Sequence, residues 1–472
     1  METNELCYLP ATQLADLVRR KELSPTEVVE AFLSRIEEVN PKLTAYCTVA
    51  SEQARKAARE AEAKQSRGED LGVLHGVPIG IKDLTPTAGI RTTYGSHIYE
   101  NNVPAQDAVL VEKLKAAGAI VLGKTNTPEF GAGANTFNDI FGPTRNPWRL
   151  THTPAGSSGG SAAALAAGLC ALASGSDLGG SLRTPASFCN VVGLRPSPGR
   201  VANYPSNLGW SPLGVEGPMA RTIADTALML SVMAGRDDRS PISVPVEPSE
   251  FVAAVQQPDI KGWRVAWSPD LGFAPVEPEV VNICKQAVAV FSEVLGCQVE
   301  EASPDLHDAP AIFQTLRAGN MAATQGDLLA QWRDKMQPNL VWNIEQGLKL
   351  SAAEMGKAEM ARTLLWERAR RFFETYDLLL VPAAAALPFP FTTISPPEVA
   401  GRKMDNYVEW LGLSYGITLT GLPSICVPCG WSANGLPVGL QIVGRRLAEA
   451  SILRAAAAFE QARPWHDRRP TL

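Results

Sequence analysis

Gly156-Ser157-Ser158-Gly159-Gly160-Ser161 forms a serine-glycine turn, and Asp177-Leu178-Gly179-Gly180-Ser181-Leu182-Arg183 forms a second one after an alanine-rich segment. Upstream, Gly80-Ile81-Lys82-Asp83 places a lysine at the end of an apolar run. No histidine occurs in any of these three motifs. Together they indicate a serine nucleophile that a lysine activates through a second serine.

The second turn contains the predicted nucleophile, Ser181. Its glycines permit a tight backbone at little steric cost. Such a turn can aim the N–H groups of Leu178, Gly179, Gly180 and Ser181 at one point, where they would form an oxyanion hole. Ordinary glycine-rich turns have similar sequences, so this motif alone is weak support for catalysis.

The first turn places Ser157 before a segment of strong helix formers. A phosphate cradle is the alternative interpretation, because a glycine-rich loop that opens a helix binds anions. The P-loop pattern is absent, however, and no GxGxxG follows a strand. The sequence therefore favours a catalytic role for Ser157 over phosphate binding.

Lys82 is the predicted base. Most lysines are solvated, but burial at the end of a central strand lowers the pKa of an amine and makes it basic at neutral pH. Lys82, Ser157 and Ser181 are then chemically sufficient without histidine.

Three further residues are predicted to support the site: Ser158, Asp177 and Arg183. The carboxylate of Asp177 can brace the second turn through its backbone, and Arg183 can pair with an acid beneath the loop. For these last two the favoured role is structural.

Composition excludes several classes of partner. The chain has 472 residues, of which 45% are hydrophobic and 19% charged, and its net charge is −6. A negative chain lacks the basic surface that nucleic acids and anionic membranes require. The acidic start, Met1–Leu6, has no secretory h-region. The uncharged stretches 150–176 and 411–444 contain too many Gly, Ser, Thr and Pro residues for membrane spans, and are predicted to form a buried centre.

The eight cysteines are scattered, which favours reduced thiols and a cytoplasmic location. Cys426-Val427-Pro428-Cys429 ends an apolar run, so both thiols are predicted to be buried rather than redox-active. No second CxxC or His pair completes a zinc site. Neither a metal nor an organic cofactor is expected.

Residues 1–70 are predicted to form an N-terminal helical arm. Ser24-Pro25-Thr26-Glu27 is a capping box, Asn40-Pro41 is expected to stop the helix that follows, and 51–66 form a surface helix. From 71 to 472, apolar runs alternate with helical patterns, which indicates an α/β domain with a sheet covered on both faces. No clean linker is found, so one compact domain overall is expected.

Individual elements follow from the same patterns. Buried strands are expected at 77–81, 119–123, 264–267, 378–381, 424–427 and 438–443. Helices are expected at 159–173, 222–234, 278–295 and 356–376, and Asp107 is expected to cap a helix that closes at Gly118.

In these motifs the chain resembles the amidase signature family. The resemblance rests on the three motifs above and extends from about residue 20 to the C-terminal part. The further matching stretches are Lys124–Phe130, Gly142–Trp148, Val191–Pro196, Gly421–Pro423 and Gly435–Gln441.

The resemblance implies an α/β/α fold around a large mixed sheet. It also implies a Ser–cis-Ser–Lys triad, in which Ser181 is the nucleophile, Ser157 the bridging serine with a cis peptide, and Lys82 the base. The implied activity is hydrolysis of amide C–N bonds through an acyl-enzyme, with no cofactor.

The family contains aryl-acylamidases, urethane hydrolases, fatty acid amide hydrolases and the glutaminase subunit of the tRNA-dependent amidotransferase. The tyrosine-rich segment typical of that subunit is missing near 357–362, and no N-terminal membrane helix is present. A free-standing amidase for aryl or other apolar amides is therefore predicted, with carbamates and esters as further substrates. A glutaminase subunit that works with a partner chain is the alternative, and an idle scaffold is a weaker one.

The predicted substrate is a small amide or carbamate, and the chain is predicted to be a monomer or homodimer. Aromatic and apolar residues are candidates for the substrate pocket, although core packing explains many such residues equally well. The candidates are Phe130, Gly131, Phe313, Trp342, Leu387, Trp410 and Tyr415.

Overall fold

Fifteen strands are found in the computed structural model, which describes residues 3–472 apart from the side chain of Thr3. They are β1 (Tyr46–Val49), β2 (Pro78–Lys82), β3 (Ile120–Thr125), β4 (Phe137–Asn138), β5 (Gly142–Pro143), β6 (Leu172–Asp177), β7 (Val192–Arg195), β8 (Val215–Ala220), β9 (Arg264–Trp267), β10 (Gln298–Glu301), β11 (Leu378–Pro382), β12 (Glu398–Val399), β13 (Arg402–Lys403), β14 (Ser424–Trp431) and β15 (Pro437–Val443).

Sixteen α-helices accompany them in the same residues. They are α1 (Thr3–Cys7), α2 (Ala11–Arg19), α3 (Pro25–Leu43), α4 (Ser51–Arg67), α5 (Val109–Ala116), α6 (Gly159–Ala166), α7 (Arg183–Cys189), α8 (Ile223–Met233), α9 (Ser249–Gln256), α10 (Pro278–Glu293), α11 (Ala309–Gln325), α12 (Leu329–Trp332), α13 (Pro338–Leu348), α14 (Ala352–Thr375), α15 (Gly412–Thr420) and α16 (Glu449–Ala462).

Eleven of the described strands form one mixed sheet in the order β1-β3-β2-β6-β8-β7-β14-β15-β11-β9-β10. The neighbours β3, β2 and β6 run parallel, as do β11, β9 and β10, and the strands between them pair antiparallel. Every residue of β2, β3, β7, β11 and β15 is buried. Since successive residues point to opposite faces, helices must cover both faces, which confirms the predicted α/β/α architecture.

The N-terminal segment is more closely joined to the sheet than a helical arm would be. Its capping box forms as predicted, because Ser24 Oγ accepts from the N–H of Glu27 and the Glu27 carboxylate accepts from the N–H of Ser24. Strand β1 of this segment pairs antiparallel with β3 and forms one edge of the main sheet. Met1 and Glu2, where the prediction of a missing secretory signal begins, lie outside the described residues.

Three local predictions need correction. Helix α3 continues through Pro41 and ends at Leu43, with Thr44 in the left-handed conformation (φ 53°). The helix predicted at 159–173 ends at Ala166, because Gly168 turns the chain (φ 71°) into strand β6. The carboxylate of Asp107 accepts from the N–H of Ala88 at 2.7 Å instead of capping α5.

The remaining predicted strands and helices are present, with boundaries shifted by a few residues. Cys426 and Cys429 are buried on β14, as predicted. Among residues 3–472, no helix combines the length and the apolar composition that a membrane crossing requires.

Candidate active site

Strand topology brings the three predicted catalytic residues to one place. Strands β2 and β6 are parallel neighbours, so their carboxyl ends meet at the same edge of the sheet. Lys82 is the last residue of β2, and β6 leads into the turn that carries Ser181. Helix α6 packs against both strands, and the turn that precedes it carries Ser157.

The ammonium group of Lys82 meets three hydroxyls. Its Nζ lies 2.6 Å from Ser157 Oγ, 2.9 Å from Ser158 Oγ and 2.9 Å from Ser176 Oγ. The side chain is 0% exposed. The nitrogen is therefore held by neutral partners, with no carboxylate within salt-bridge distance in the described chain.

Burial without an ion-pair partner changes the titration of Lys82. Desolvation lowers the pKa of the Lys82 amine to about 7, against the opposing attraction of the Glu216 and Asp177 carboxylates. Burial likewise raises the pKa of Glu216, against the attraction of Lys82 and Lys124. Lys82 is consequently able to exist as a neutral amine near neutral pH.

Ser157 is held tightly. The Gly156–Ser157 peptide is cis, as the family resemblance implies, and Ser157 is 3% exposed. Gly131 lies beside it with φ 71°, a left-handed conformation in which a side chain is strained, and a Cβ there would also lie 2.9 Å from Leu84 Cδ1. Only glycine fits this approach without strain.

Asp177 braces the second turn, as predicted. Its Oδ1 accepts from the N–H of Gly180 at 2.9 Å and its Oδ2 from the N–H of Leu182 at 3.1 Å. Arg183 forks onto the same carboxylate at 3.0 and 2.9 Å, which confirms that it pairs with an acid. Arg195 approaches at 3.4 Å.

Asp177 has charged partners, whereas the partners of Lys82 are neutral. Burial alone would raise the pKa of the Asp177 carboxyl, but the two guanidinium groups outweigh burial and hold its pKa well below the usual range. Asp177 therefore remains charged throughout the physiological range.

The turn leaves fewer free donors than predicted. The N–H of Gly180 is bound by Asp177 and is not available to a ligand. In the described part of the chain, the N–H groups of Leu178, Gly179 and Ser181 have no protein acceptor. Three donors rather than four are thus free at the predicted oxyanion site.

These residues line a cavity of about 210 Å³. Its apolar wall consists of Leu84, Phe130, Leu178, Val215, Phe313, Met321, Val408 and Leu411. Its polar side chains include Ser157, Ser176, Ser181, Glu216, Arg317 and Tyr407. The cavity is large enough for a small aryl or alkyl amide and places an apolar surface beside the nucleophile.

The seven predicted pocket residues divide into two groups. Phe130, Gly131 and Phe313 line the cavity, and the other four do not.

Each of those four has a packing role instead. Tyr415 is 2% exposed and stacks on Phe313 at 4.6 Å, and Trp410 is 1% exposed. Trp342 packs edge-on against Tyr407 at 6.0 Å, and Leu387 is half-buried against the main core.

Sequence reasoning missed several polar residues of the cavity, among them Ser176, Glu216 and Arg317. Ser174 and Ser176 share one face of β6, and both contact Lys82. The hydroxyl of Ser174 accepts from the backbone N–H of Lys82 at 3.1 Å, and that of Ser176 accepts from its Nζ. Two serines spaced two residues apart in a strand point to the same face of the sheet, so the sequence could have indicated this pair. Arg317 lies one helical turn after Phe313 on α11, which places both on one face.

Within the described residues, no group of three or more His, Cys, Asp and Glu side chains is arranged to hold a metal ion. The donors that line the cavity are hydroxyls, the side-chain amide of Asn203, the guanidinium of Arg317 and the turn amides.

Known proteins resemble this chain over nearly its whole length. The profile of a family described as Amidase matches residues 27–453. An acylamidase of Rhodococcus erythropolis is 40% identical over 100% of this chain and 98% of its own length. A glutamyl-tRNA(Gln) amidotransferase subunit of Moorella thermoacetica is 39% identical, and 99% of each chain is covered.

A solved structure from the same family also resembles this chain. A bacterial aryl acylamidase of the amidase signature family has a TM-score of 0.90 and 32% identity, with 97% of each chain covered. The chain is therefore an enzyme of the amidase signature family, a hydrolase that acts on amide C–N bonds.

Proposed function

We propose that this chain is a free-standing amidase that hydrolyses aryl and other apolar amides through an acyl-enzyme on Ser181. The observation that carries the proposal is the contact of fully buried Lys82 Nζ with Ser157 Oγ at 2.6 Å, in a cavity that Ser157 and Ser181 both line. The apolar wall of that cavity supports an aryl or alkyl substrate. Carbamates and esters with similar groups are further candidates.

Acylation begins with neutral Lys82. Ser157 transfers its proton to Lys82 Nζ while it accepts the proton of Ser181, whose Oγ forms a bond to the carbonyl carbon. The carbonyl π electrons move to oxygen, and the free N–H groups of the turn stabilise the resulting oxyanion. One such donor typically contributes about 3–4 kcal/mol to transition-state stabilisation.

The proton then returns. Lys82 gives it back through Ser157 to the leaving nitrogen, the C–N bond breaks, and the amine departs. Water attacks the acyl-enzyme by the same route, with its proton passing through Ser157 to Lys82. The bond between the acyl carbon and Ser181 Oγ then breaks, and Lys82 returns the proton through Ser157 to Ser181 Oγ as the carboxylic acid leaves. The net reaction is addition of one water across the amide bond.

The similarity to the amidotransferase of Moorella thermoacetica supports a second candidate, a glutaminase that works with a partner chain. The two candidates differ in substrate and in dependence on a partner. The free thiols of all eight cysteines are consistent with the cytoplasmic location proposed for either.

The test is hydrolysis by the purified chain of an acyl anilide, an aryl carbamate, a short aliphatic amide and glutamine. We expect release of aniline, loss of that activity in Ser181→Ala, and full activity in the surface control Ser249→Ala. Mass spectrometry after rapid acid quenching should detect the acyl group on the peptide that contains Ser181. Turnover of glutamine alone would favour the amidotransferase candidate, and activity that persists in Ser181→Ala would refute the assigned nucleophile.

A further inference from the structure

Buried arginines of this chain are paired with acids, with one exception. Five arginine side chains are at most 7% exposed in the described residues: Arg35, Arg183, Arg195, Arg200 and Arg317. The first four meet a carboxylate at 3.2, 2.9, 3.4 and 2.8 Å, respectively. Arg317 has no carboxylate within 4.0 Å among residues 3–472, although it is only 5% exposed.

The unpaired arginine is the one that lines the catalytic cavity. Arg317 lies on α11 one turn after Phe313, and both line the cavity. Its Nη2 donates to the hydroxyl of Tyr407 at 2.6 Å, while its buried Nη1 has no hydrogen-bond partner. A guanidinium stays charged in proteins, and a buried charge without a partner is strongly destabilising.

The acids of the cavity do not compensate Arg317. Asp177 is bound by Arg183 and Arg195. Glu216 interacts with the two lysines Lys82 and Lys124. The missing acceptor for Arg317 must therefore come from outside the chain.

We propose that Arg317 binds a carboxylate of the substrate, so that the preferred substrates are apolar amides carrying a carboxylate group. This inference rests on the proposed function of the same cavity. A guanidinium presents a planar fork of donors that matches a carboxylate, and a partly desolvated pair of this kind is strong and directional. The apolar wall holds the ring or chain between the carboxylate and the scissile bond.

Tyr407 is a positioning residue in this arrangement. Its hydroxyl accepts the Arg317 hydrogen bond, and its ring packs edge-on against Trp342 at 6.0 Å. The aromatic pair fixes one side of the guanidinium, so that the remaining donors keep one orientation. Trp342, which does not line the cavity, thus supports the subsite indirectly.

Two matched pairs of anilides test the proposal. Succinanilic acid and butyranilide differ by a carboxylate on the acyl side, and 4-acetamidobenzoate and acetanilide differ by one on the amine side. For each pair we define the selectivity as kcat/KM of the acid divided by kcat/KM of the neutral compound. The wild type is expected to show a selectivity above one in at least one pair, which also tells on which side the carboxylate binds.

Arg317→Gln removes the charge and keeps most of the length, and is expected to lower that selectivity by about 30-fold or more. Arg317→Lys should restore part of it. Arg371→Gln, a control on the exposed side of α14, should leave the selectivity of the wild type. If Arg317→Gln does not fold, the wild-type selectivity and that of Tyr407→Phe, which we expect to be lower than wild type, decide instead.

Selectivities at or below one in both pairs, or a change of less than threefold in folded Arg317→Gln, would overturn the carboxylate subsite while leaving the proposed amidase function intact. That function has a separate control, since Ser181→Ala must abolish turnover of all four compounds. Activity that persists in Ser181→Ala would refute the nucleophile whatever the selectivity.

Discussion

Two clusters of buried charge lie side by side at the ends of β2 and β6. The lysine cluster consists of Lys82 with Ser157, Ser158 and Ser176, and the aspartate cluster consists of Asp177 with Arg183 and Arg195. The central residue of each cluster is at most 1% exposed, and each forms several hydrogen bonds. They differ in the charge of the partners.

That difference gives the two clusters opposite chemistry. In the aspartate cluster the guanidinium groups outweigh burial, so the pKa of Asp177 falls and the carboxylate stays charged. In the lysine cluster the hydroxyls contribute no charge, so burial dominates and the pKa of Lys82 falls to about 7. A compensated charge is suited to a fixed structural role, whereas an uncompensated one becomes a group that exchanges protons near neutral pH.

The largest expected effect comes from removing the titratable amine. Lys82→Met keeps an unbranched side chain of similar length but has no proton acceptor, and should lower kcat for an anilide by about 10³-fold or more. Lys124→Met is the matched control: Lys124 is also 0% exposed, but its Nζ donates to Thr87 Oγ1 at 2.8 Å rather than to the serines.

Rates in this comparison are measured per mole of folded protein, because replacing a buried, hydrogen-bonded lysine also changes stability. We expect Lys124→Met to retain most of its turnover. Equal losses of kcat in both variants would show that activity depends on a buried lysine in general and not on the contact of Lys82 with Ser157.

Breaking the aspartate cluster should affect stability first. Asp177→Asn leaves Arg183 and Arg195 buried without a counter-ion, and should lower the free energy of unfolding by about 3–5 kcal/mol. Asp305→Asn changes an exposed acid, 59% accessible, and should alter it by no more than about 0.5 kcal/mol. Urea unfolding followed by tryptophan fluorescence measures both.

Activity sharpens the same test. Since the Asp177 carboxylate also holds the N–H groups of Gly180 and Leu182, the folded Asp177→Asn fraction should hydrolyse anilides more slowly than wild type. A variant as stable as wild type would contradict the structural role of this cluster.

The two clusters were predictable from the sequence to different degrees. Lys82, Ser157 and Ser181 lie in glycine-rich motifs whose composition is itself unusual, and the brace by Asp177 and Arg183 follows from their position around the turn. The exclusion of Gly180 from the free donors was not predictable, because it depends on which oxygen of Asp177 faces which N–H.

Residues outside the motifs were harder to predict, because only tertiary packing assigns them. Tyr415 and Trp410 are aromatic, as pocket residues often are. In the structure, however, Tyr415 stacks on Phe313 and Trp410 packs in the core. The predicted end of α6 was wrong for a related reason. Alanine favours helix on both sides of Gly168, but after Gly168 burial in the sheet overrides that propensity.

The smallest expected effect concerns Glu216, a buried acid that influences the lysine cluster through its charge. It is the cross-strand partner of Ser176, it lines the cavity, and neither of its carboxylate oxygens accepts a hydrogen bond in the described chain. Its attraction favours the ammonium form of Lys82, with a weaker contribution from Asp177. Lys124 is the other charged group near Glu216.

The sign of the pH effect follows from the base that the reaction needs. Only neutral Lys82 accepts a proton, so kcat/KM for butyranilide, which does not titrate, should rise with pH through the pKa of Lys82, about 7. Glu216→Gln removes a charge that favours the ammonium form, so the acid limb should move to lower pH by about one unit. Glu301→Gln, an exposed acid on β10, should leave the limb where it is. A limb that stays in place or moves to higher pH in Glu216→Gln would mean that Glu216 does not act on Lys82 through its charge, and would leave burial and Asp177 to set the pKa of the base.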